Sequence, residues 1–267
     1  MPYVDPQAVA DYARDGAVVI RGCFTPEQVE LVREGVARNL AEPGPLVAVA
    51  SESSDTGRFV EDFCNWQRIP EYEEFIRTSP AAHIARELMA SEHVRLYHDH
   101  LLVKEAKTQQ RTPWHQDQPY YNVEGRQNVS MWMPLDPVPR ESTLEFVAGS
   151  HLGPWLMPRT FRDEQAKWFP EGTLGELPKI EEDRDAFPIL GWELEPGDAV
   201  AFNYLTLHGA PANKSKVEQR RAFSLRLLGD NARFARREGI NTSPPFRGVT
   251  LPHGAVMDAP EFPLLAG

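Results

Sequence analysis

The first part of the chain joins one short apolar run to amphipathic stretches. Residues 16–20, Gly-Ala-Val-Val-Ile, predict a buried strand that ends before Gly22. Thr25–Gln28 has the spacing of a capping box, with proline at the first helical position. Apolar residues then recur at steps of three and four, which predicts a helix to about Leu40. A second helix is predicted to begin at Ser79-Pro80, where a capping serine again precedes proline.

From residue 93 onward the pattern becomes extended. Short runs rich in β-branched and aromatic residues are separated by turns that contain glycine and proline. The predicted strands cover residues 94–103, 129–135, 143–147, 199–203 and 222–228. Helices followed by many short strands indicate either an α+β fold or an all-β core with helices outside it. We predict a mainly β fold, a double-stranded β-helix (a cupin-like jelly roll) with flanking N-terminal α-helices.

The length of 267 residues suits one domain, because β-sandwiches and barrels of roughly 200–250 residues commonly fold as a unit. We therefore predict a single domain over residues 1–267. Residues 152–192 interrupt the strand pattern with five prolines and three tryptophans. Long stretches without periodicity are usually lids or binding loops, so this segment is predicted to be an insert of that kind.

The charge and the apolar pattern limit the partners of this chain. A net charge of −11 argues against nucleic acid or an anionic membrane as a partner, because either would need a basic patch. No apolar run approaches the roughly 18 residues that span a bilayer, and Met1–Arg14 has no signal-peptide core. Cys23 and Cys64 form neither a zinc pattern nor a disulfide framework. We expect a cytoplasmic protein with a small-molecule substrate, and the sequence carries no signal for an oligomeric state.

His115-Gln116-Asp117 is the main candidate for chemistry. On an extended strand, residues two apart point to the same face, so the imidazole and the carboxylate would lie side by side. If a neighbouring strand adds His208, the result is two histidines and one carboxylate on one face of a metal. Such a set leaves coordination positions open and is typical of non-haem Fe(II) oxygenases. The short motif also arises by chance, and a histidine at a strand end paired with aspartate is the structural alternative.

The order of the surrounding segments is more specific than the motif. Trp114–Asp117 is followed by Gly149–His151, by His208 with an asparagine five residues later, and by Arg220-Arg221. Over residues 93–230 this order resembles the phytanoyl-CoA dioxygenase family of Fe(II)/2-oxoglutarate oxygenases. The resemblance implies that His115, Asp117 and His208 bind Fe(II), leaving positions for 2-oxoglutarate and dioxygen.

The resemblance also implies a cation for the far carboxylate of 2-oxoglutarate, and arginine suits it because its planar fork binds carboxylate bidentately. Families of this kind usually place that arginine eleven residues after the distal histidine, which is Gln219 here. Alignment on the alanine that follows the basic pair selects Arg220. Arg221 remains the alternative, because a shift of one residue turns a strand's faces over.

Four further residues are candidates for the cosubstrate site. Relatives supply polar contacts to 2-oxoglutarate from the strand and turn before the motif, which correspond to Thr112, Lys104 and His98 here. Ordinary polarity at a strand edge is the alternative for each. Trp132 faces the pocket in similar proteins, although a tryptophan in an apolar strand is more often part of the core.

The implied activity is hydroxylation of an unidentified small organic substrate, with succinate and carbon dioxide formed from 2-oxoglutarate. Two alternatives stay open from the sequence. One is a cupin-like metalloenzyme that acts without 2-oxoglutarate. The other is a non-catalytic binding module on the same barrel.

Overall fold

The computed structural model describes residues 2–51, 55–160, 165–213, 215–237 and 242–267. Its helices are α1 (Pro6–Asp15), α2 (Pro26–Ala41), α3 (Pro70–Thr78) and α4 (Ala81–Met89). Its strands are β1 (Ala17–Ile20), β2 (Ala48–Val49), β3 (Phe59–Phe63), β4 (Val94–Lys104), β5 (Thr112–His115), β6 (Val123–Glu124), β7 (Asn128–Pro134), β8 (Glu145–Val147), β9 (Ile189–Leu190), β10 (Ala199–Phe202), β11 (His208–Ala210), β12 (Arg220–Leu228), β13 (Arg233–Phe234) and β14 (Leu264–Ala266).

The strands form two main antiparallel sheets. The large sheet has the order β1-β10-β7-β12-β4-β3-β2, with β14 also paired to β4. The small sheet has the order β5-β11-β8-β9, and β13 pairs with β6 as a separate ribbon. Strands that are neighbours in a sheet are mostly distant in the sequence, as expected of a jelly roll, in which long connections cross between the sheets. The predicted mainly β, jelly-roll core is confirmed.

The helices pack on the outer face of the large sheet. The ring of Tyr72 on α3 lies 4.3 Å from that of Phe223 on β12, and Val32 on α2 is fully buried in the same cluster. Because side chains alternate along a strand, Phe223 and Leu225 face the helices while Ala222 faces the opposite side. The predicted flanking helices are confirmed, and the inner face of the large sheet is left for the small sheet.

The predicted cap of α2 is confirmed, whereas the predicted cap at Ser79 is wrong, because Ser79 ends α3 and α4 begins after Pro80 without a side-chain cap. The Thr25 hydroxyl accepts a hydrogen bond from the Gln28 amide, and the Gln28 side chain accepts one from the Thr25 amide, which completes the capping box of α2. Helices α1 and α3 were not predicted. Tyr12 is the buried residue of α1, so that helix shows too few apolar positions to produce a periodic pattern.

The predicted insert at 152–192 has little regular structure in its described part, with two single-turn helices before β9. Residues 161–164 lie outside the described residues. Cys23 and Cys64 are free and half-buried. No helix in the described ranges is both long and apolar enough to cross a membrane.

Candidate metal centre

His115 and His208 are direct neighbours on two paired strands. His115 ends β5, and the antiparallel register of the small sheet places it opposite His208 on β11. Both residues are buried, and their ring centroids are 4.2 Å apart. The prediction that a neighbouring strand brings His208 to the motif is confirmed.

Asp117 reaches the histidines by a different route from the predicted one. Strand β5 ends at His115, and Asp117 has the helical angles φ −73° and ψ −42° at the start of a single turn over Gln118–Tyr120. The expectation that His115 and Asp117 share an extended strand is therefore wrong. Pro119 restricts the backbone to this turn, and the Asp117 amide donates to the Tyr204 carbonyl at 2.8 Å.

The three side chains nevertheless converge. Asp117 Oδ1 is 3.5 Å from His115 Nε2 and 3.8 Å from His208 Nε2. One ligand atom from each residue lies within 4.8 Å of the other two, which is close enough to share a metal ion. Two histidines and a carboxylate with open positions suit Fe(II).

Backbone carbonyls bind Nδ1 of each histidine, which leaves Nε2 of each ring available to a metal. His115 Nδ1 lies 2.8 Å from the Pro113 carbonyl, and His208 Nδ1 lies 2.9 Å from the Thr206 carbonyl. Because a carbonyl oxygen only accepts, each Nδ1 carries the proton and each Nε2 presents its lone pair to the centre. The donor set therefore fits a divalent metal.

Asp117 is held from behind through its other oxygen. Oδ2 accepts a hydrogen bond from the Ser130 hydroxyl at 3.0 Å and lies 3.1 Å from Nε of Arg226. Burial opposes ionisation of Asp117, but the charge of Arg226, together with the adjacent His208 and His115 rings, holds its pKa well below the usual value. Asp117 is thus a carboxylate with Oδ1 facing the histidines.

The protonation state of His208 also suits a metal ligand. Burial and the nearby charge of His115 lower the pKa of His208 to about 3, although Asp117 acts in the opposite direction. The imidazole is therefore neutral near pH 7, and metal binding there displaces no proton from it.

A cavity of about 310 Å³ lies beside the three converged residues, between the two sheets. Its lining includes the candidate ligands together with Lys104, Thr112, Trp132, Arg220, Glu61, His100, Tyr120, Tyr121 and Lys167. A second cavity, of about 550 Å³, lies under residues 177–182 and shares His115, Tyr120 and Thr160 with the first. The predicted insert therefore contributes to both cavities.

The structure separates the two candidate arginines. Arg220 lines the cavity, where its guanidinium donates to the carbonyls of Ser142 and Pro211. Arg221 points to the other face and forms a bidentate pair with Asp136, with 2.6 Å between the closest atoms. Arg220 has no ion pair with any described carboxylate, and burial lowers its pKa to about 10, so it is still charged near pH 7.

Lys104 is the cross-strand neighbour of Arg220. Its ammonium donates to the Pro211 carbonyl at 3.1 Å and lies 4.6 Å from the centre of the Phe59 ring. Burial and the charge of Arg220 hold the pKa of Lys104 well below its usual value. A charged arginine buried beside a lysine is costly unless an anion binds near them, and such an anion also favours protonation of Lys104.

Of the other three residues predicted to contact 2-oxoglutarate, two line the cavity and one does not. Thr112 on β5 and Trp132 on β7 both line the cavity. His98 is buried on β4 opposite Arg226, with Nδ1 near the Asp99 carbonyl, and is not among the described residues that line the cavity.

Sequence reasoning missed Arg226 and the pair formed by Glu61 and His100. Arg226 had a usable signal, because residues 220, 222, 224 and 226 share one face of β12. Glu61 had none, since its strand β3 reaches the cavity only through pairing with β4.

Solved structures share this fold. The epimerase SnoN from nogalamycin biosynthesis, in complex with Fe3+, alpha-ketoglutarate and nogalamycin RO, is 23% identical with a TM-score of 0.76, covering 97% of each chain. The carbocyclase SnoK from the same biosynthesis is also 23% identical, with a TM-score of 0.75 over 98% of this chain and 97% of the other. EctD from S. alaskensis with 2-oxoglutarate and 5-hydroxyectoine is 20% identical, with a TM-score of 0.68 over 90% and 81%. These likenesses establish the fold.

Sequence comparison establishes the family. A probable phytanoyl-CoA dioxygenase of Caenorhabditis elegans is 23% identical over 247 residues, which cover 85% of this chain and 77% of the relative. The family model for phytanoyl-CoA dioxygenase (PhyH) matches residues 12–222, a span that holds the converged His-Asp-His set and Arg220. The chain belongs to the phytanoyl-CoA dioxygenase family of non-haem iron, 2-oxoglutarate-dependent enzymes.

Proposed function

We propose that His115, Asp117 and His208 bind Fe(II), that Arg220 binds 2-oxoglutarate, and that the enzyme hydroxylates a small organic molecule. The observation that carries this proposal is that the three converged side chains and Arg220 line one cavity. When bound, Fe(II) with dioxygen and 2-oxoglutarate supplies the oxidising chemistry, and succinate and carbon dioxide are the co-products.

The protein's part is to bind and orient the two organic molecules. The Arg220 guanidinium offers a positive charge to the far carboxylate of 2-oxoglutarate, and the neighbouring Lys104 amine can donate a further hydrogen bond to it. The Thr112 hydroxyl lines the same cavity and can hydrogen-bond to the cosubstrate. An anion placed there compensates the buried charge of Arg220 and favours protonation of Lys104.

The surroundings of the ligands limit water and hold the geometry. Phe202 packs against the His208 ring at 4.6 Å, and Phe146 stacks near it at 6.1 Å. These rings, with the carbonyl contacts to each Nδ1, keep both imidazoles in one orientation. A buried, pre-oriented site favours oxidation of the bound substrate over side reactions with water.

Arg220 favours this function over the alternatives. A metalloenzyme that acts without 2-oxoglutarate has no need of a buried arginine that lacks an ion pair with any described carboxylate in the wall of its metal cavity. A non-catalytic binding module has no need of converged metal ligands with oriented tautomers.

The test is succinate formation from 2-oxoglutarate without added substrate, in the presence and absence of Fe(II). The wild-type protein should release succinate only with Fe(II), and His208→Ala should abolish this uncoupled turnover. Arg220→Gln should bind Fe(II) normally but require far more 2-oxoglutarate. A wild-type protein with confirmed iron content and no succinate release would contradict the proposed function.

A further inference from the structure

Glu61 places a carboxylate in the same cavity, away from the predicted cosubstrate residues. It lies on β3, its side chain is 13% exposed, and it lines the cavity. Its Oε1 is 3.3 Å from Nε2 of His100, which projects from the neighbouring strand β4. No other ion pair joins Glu61 to a described residue.

His100 lines the same part of the cavity, and its ring nitrogens lack hydrogen-bond partners within the described chain. Its ring stacks on Phe63, with 4.0 Å between centroids and 21° between the planes, and the residue is 6% exposed. Neither ring nitrogen has a partner in good hydrogen-bond geometry within the described chain. A buried ring that is fixed by stacking and still has open polar atoms is typical of a site completed by a ligand.

The charges of this pair do not cancel. Burial lowers the pKa of His100, so the ring is neutral near pH 7 even though Glu61 favours its protonation. Burial opposes ionisation of Glu61, but the adjacent His100 ring and the positive charge of Lys104 lower its pKa below the usual value. Glu61 therefore carries a negative charge beside a neutral ring, and Lys104 and Lys167 act on it only from beyond ion-pair distance.

Lys167 contributes the opposite charge from the predicted insert. Its ammonium lies 4.3 Å from the centre of the Trp168 ring and 5.5 Å from that of Tyr120, and the residue lines the cavity. Within the described ranges, Lys167 has no carboxylate at ion-pair distance. The Tyr120 ring in turn meets the His115 ring edge-on at 6.0 Å, which places Lys167 one side chain away from the metal centre.

We propose that Glu61 with His100 and Lys167 bind the two ends of a zwitterionic substrate, an ammonium group at Glu61 and a carboxylate at Lys167. This inference rests on the proposed function, because it names the substrate class of the same cavity. A purely cationic substrate leaves Lys167 without an anion at ion-pair distance, and a purely anionic one leaves Glu61 without a cation at that distance. Only a molecule that carries both charges compensates both ends.

The cavity also separates this substrate from the cosubstrate. Arg220 and Lys104 are neighbours on the paired strands β12 and β4, whereas Lys167 lies in the insert above Tyr120. The aromatic rings of Phe63 and Tyr120 offer apolar surface to the carbon chain between the two charged ends. The charged anchors therefore hold that chain beside His115.

The experiment titrates ω-amino acids of increasing chain length, beginning with glycine, into the anaerobic Fe(II) protein saturated with 2-oxoglutarate. Calorimetry should find one chain length that binds best. Glu61→Gln and Lys167→Gln should each weaken that binding at least about ten-fold, since each removes a charged hydrogen bond. Lys167→Arg should retain most of the affinity. The matched control variants are Glu74→Gln and Lys216→Gln, which remove exposed charges elsewhere.

The matching alkylammonium ions and simple carboxylates serve as one-ended probes, and each should bind more weakly than the zwitterion. The inference is overturned if no member of the series binds, if Glu61→Gln binds as the wild type does, or if a one-ended probe binds equally well. Affinity for 2-oxoglutarate is measured in every variant and shows that it is folded. A wild-type protein that does not bind 2-oxoglutarate with Fe(II) contradicts the proposed function instead.

Discussion

Arg226 and Asp117 form a buried ion pair, with 3.1 Å between Nε and Oδ2, directly behind the converged metal ligands. The guanidinium also donates to the hydroxyls of Tyr121 and Ser224, so its position is fixed from two sides. One oxygen of Asp117 is thereby occupied and the other is left for a metal. The carboxylate is oriented by the large sheet, although it belongs to the turn that follows β5.

Replacement of Arg226 should destabilise the metal-free protein. Arg226→Met leaves the Asp117 carboxylate buried without its cation, which should lower the free energy of unfolding by about 3–5 kcal/mol. Arg221→Met is the matched control, because its pair with Asp136 is partly exposed and should cost at most about 1 kcal/mol. Denaturant unfolding of both metal-free variants measures the difference. Added Fe(II) should restore more stability to Arg226→Met than to the wild type, and equal losses in the two variants would refute the role of this pair.

Replacement of Arg220 should act on the cosubstrate alone. Arg220→Gln removes a charge-assisted contact to 2-oxoglutarate and should weaken its binding roughly 100-fold, while Fe(II) affinity stays unchanged. Arg221→Gln should bind 2-oxoglutarate like the wild type, since its guanidinium pairs with Asp136 outside the cavity. Calorimetric titration of 2-oxoglutarate measures both. The opposite ranking of the two variants would assign the site to Arg221.

Asp99 should make the protein's stability depend on pH. Its carboxylate accepts hydrogen bonds from the amides of Asn65 and Trp66, but burial outweighs them and raises its pKa from 3.8 to about 6. Because the folded-state pKa is the higher one, the stabilisation is present below about pH 4 and is lost as the pH rises through about 6. The shift corresponds to about 3 kcal/mol.

The measurement is urea unfolding of the wild type and Asp99→Asn at several pH values across this window. The variant cannot titrate at this position, so the stability of the wild type relative to it should fall as the pH rises. The altered hydrogen bonds of the variant change its free energy of unfolding by a constant amount, which does not affect how the difference between the two proteins varies with pH. A difference that does not change with pH would show that the Asp99 pKa is not raised.

Loss of the α2 cap should affect stability without affecting the site. Thr25→Ala removes the side-chain acceptor of the capping box and should lower the free energy of unfolding by about 1 kcal/mol, or the Tm by about 2–4 °C. Thr25→Ser should retain the cap. Because α2 packs on the face of the large sheet opposite the cavity, 2-oxoglutarate affinity should be equal in both variants. Calorimetric melting and titration of the same samples provide the two readouts.

Local sequence signals predicted the long elements well. Strands β4, β7 and β12 lie within one or two residues of their predicted bounds, because apolar residues recur at short steps along each of them. Helix α2 was predicted from its cap and its apolar repeat together. Helix α1 was missed because Tyr12 is its buried residue, and α3 was missed because Ile69, which precedes it, provides no capping side chain.

The amino-acid sequence by itself identified the residues that can bind a metal, because imidazole and carboxylate groups are metal ligands and the order of the motifs resembles that of a known family. It also limited the cosubstrate's arginine to Arg220 or Arg221. Tertiary structure placed Arg220 at the cavity and Arg221 on the other face, since strand register sets which face of β12 meets the cavity, and a slip of one residue would exchange the two. It also turned Asp117 towards the histidines from outside their strand and brought Glu61 beside His100. Such relationships depend on the pairing of distant strands, which no local pattern contains.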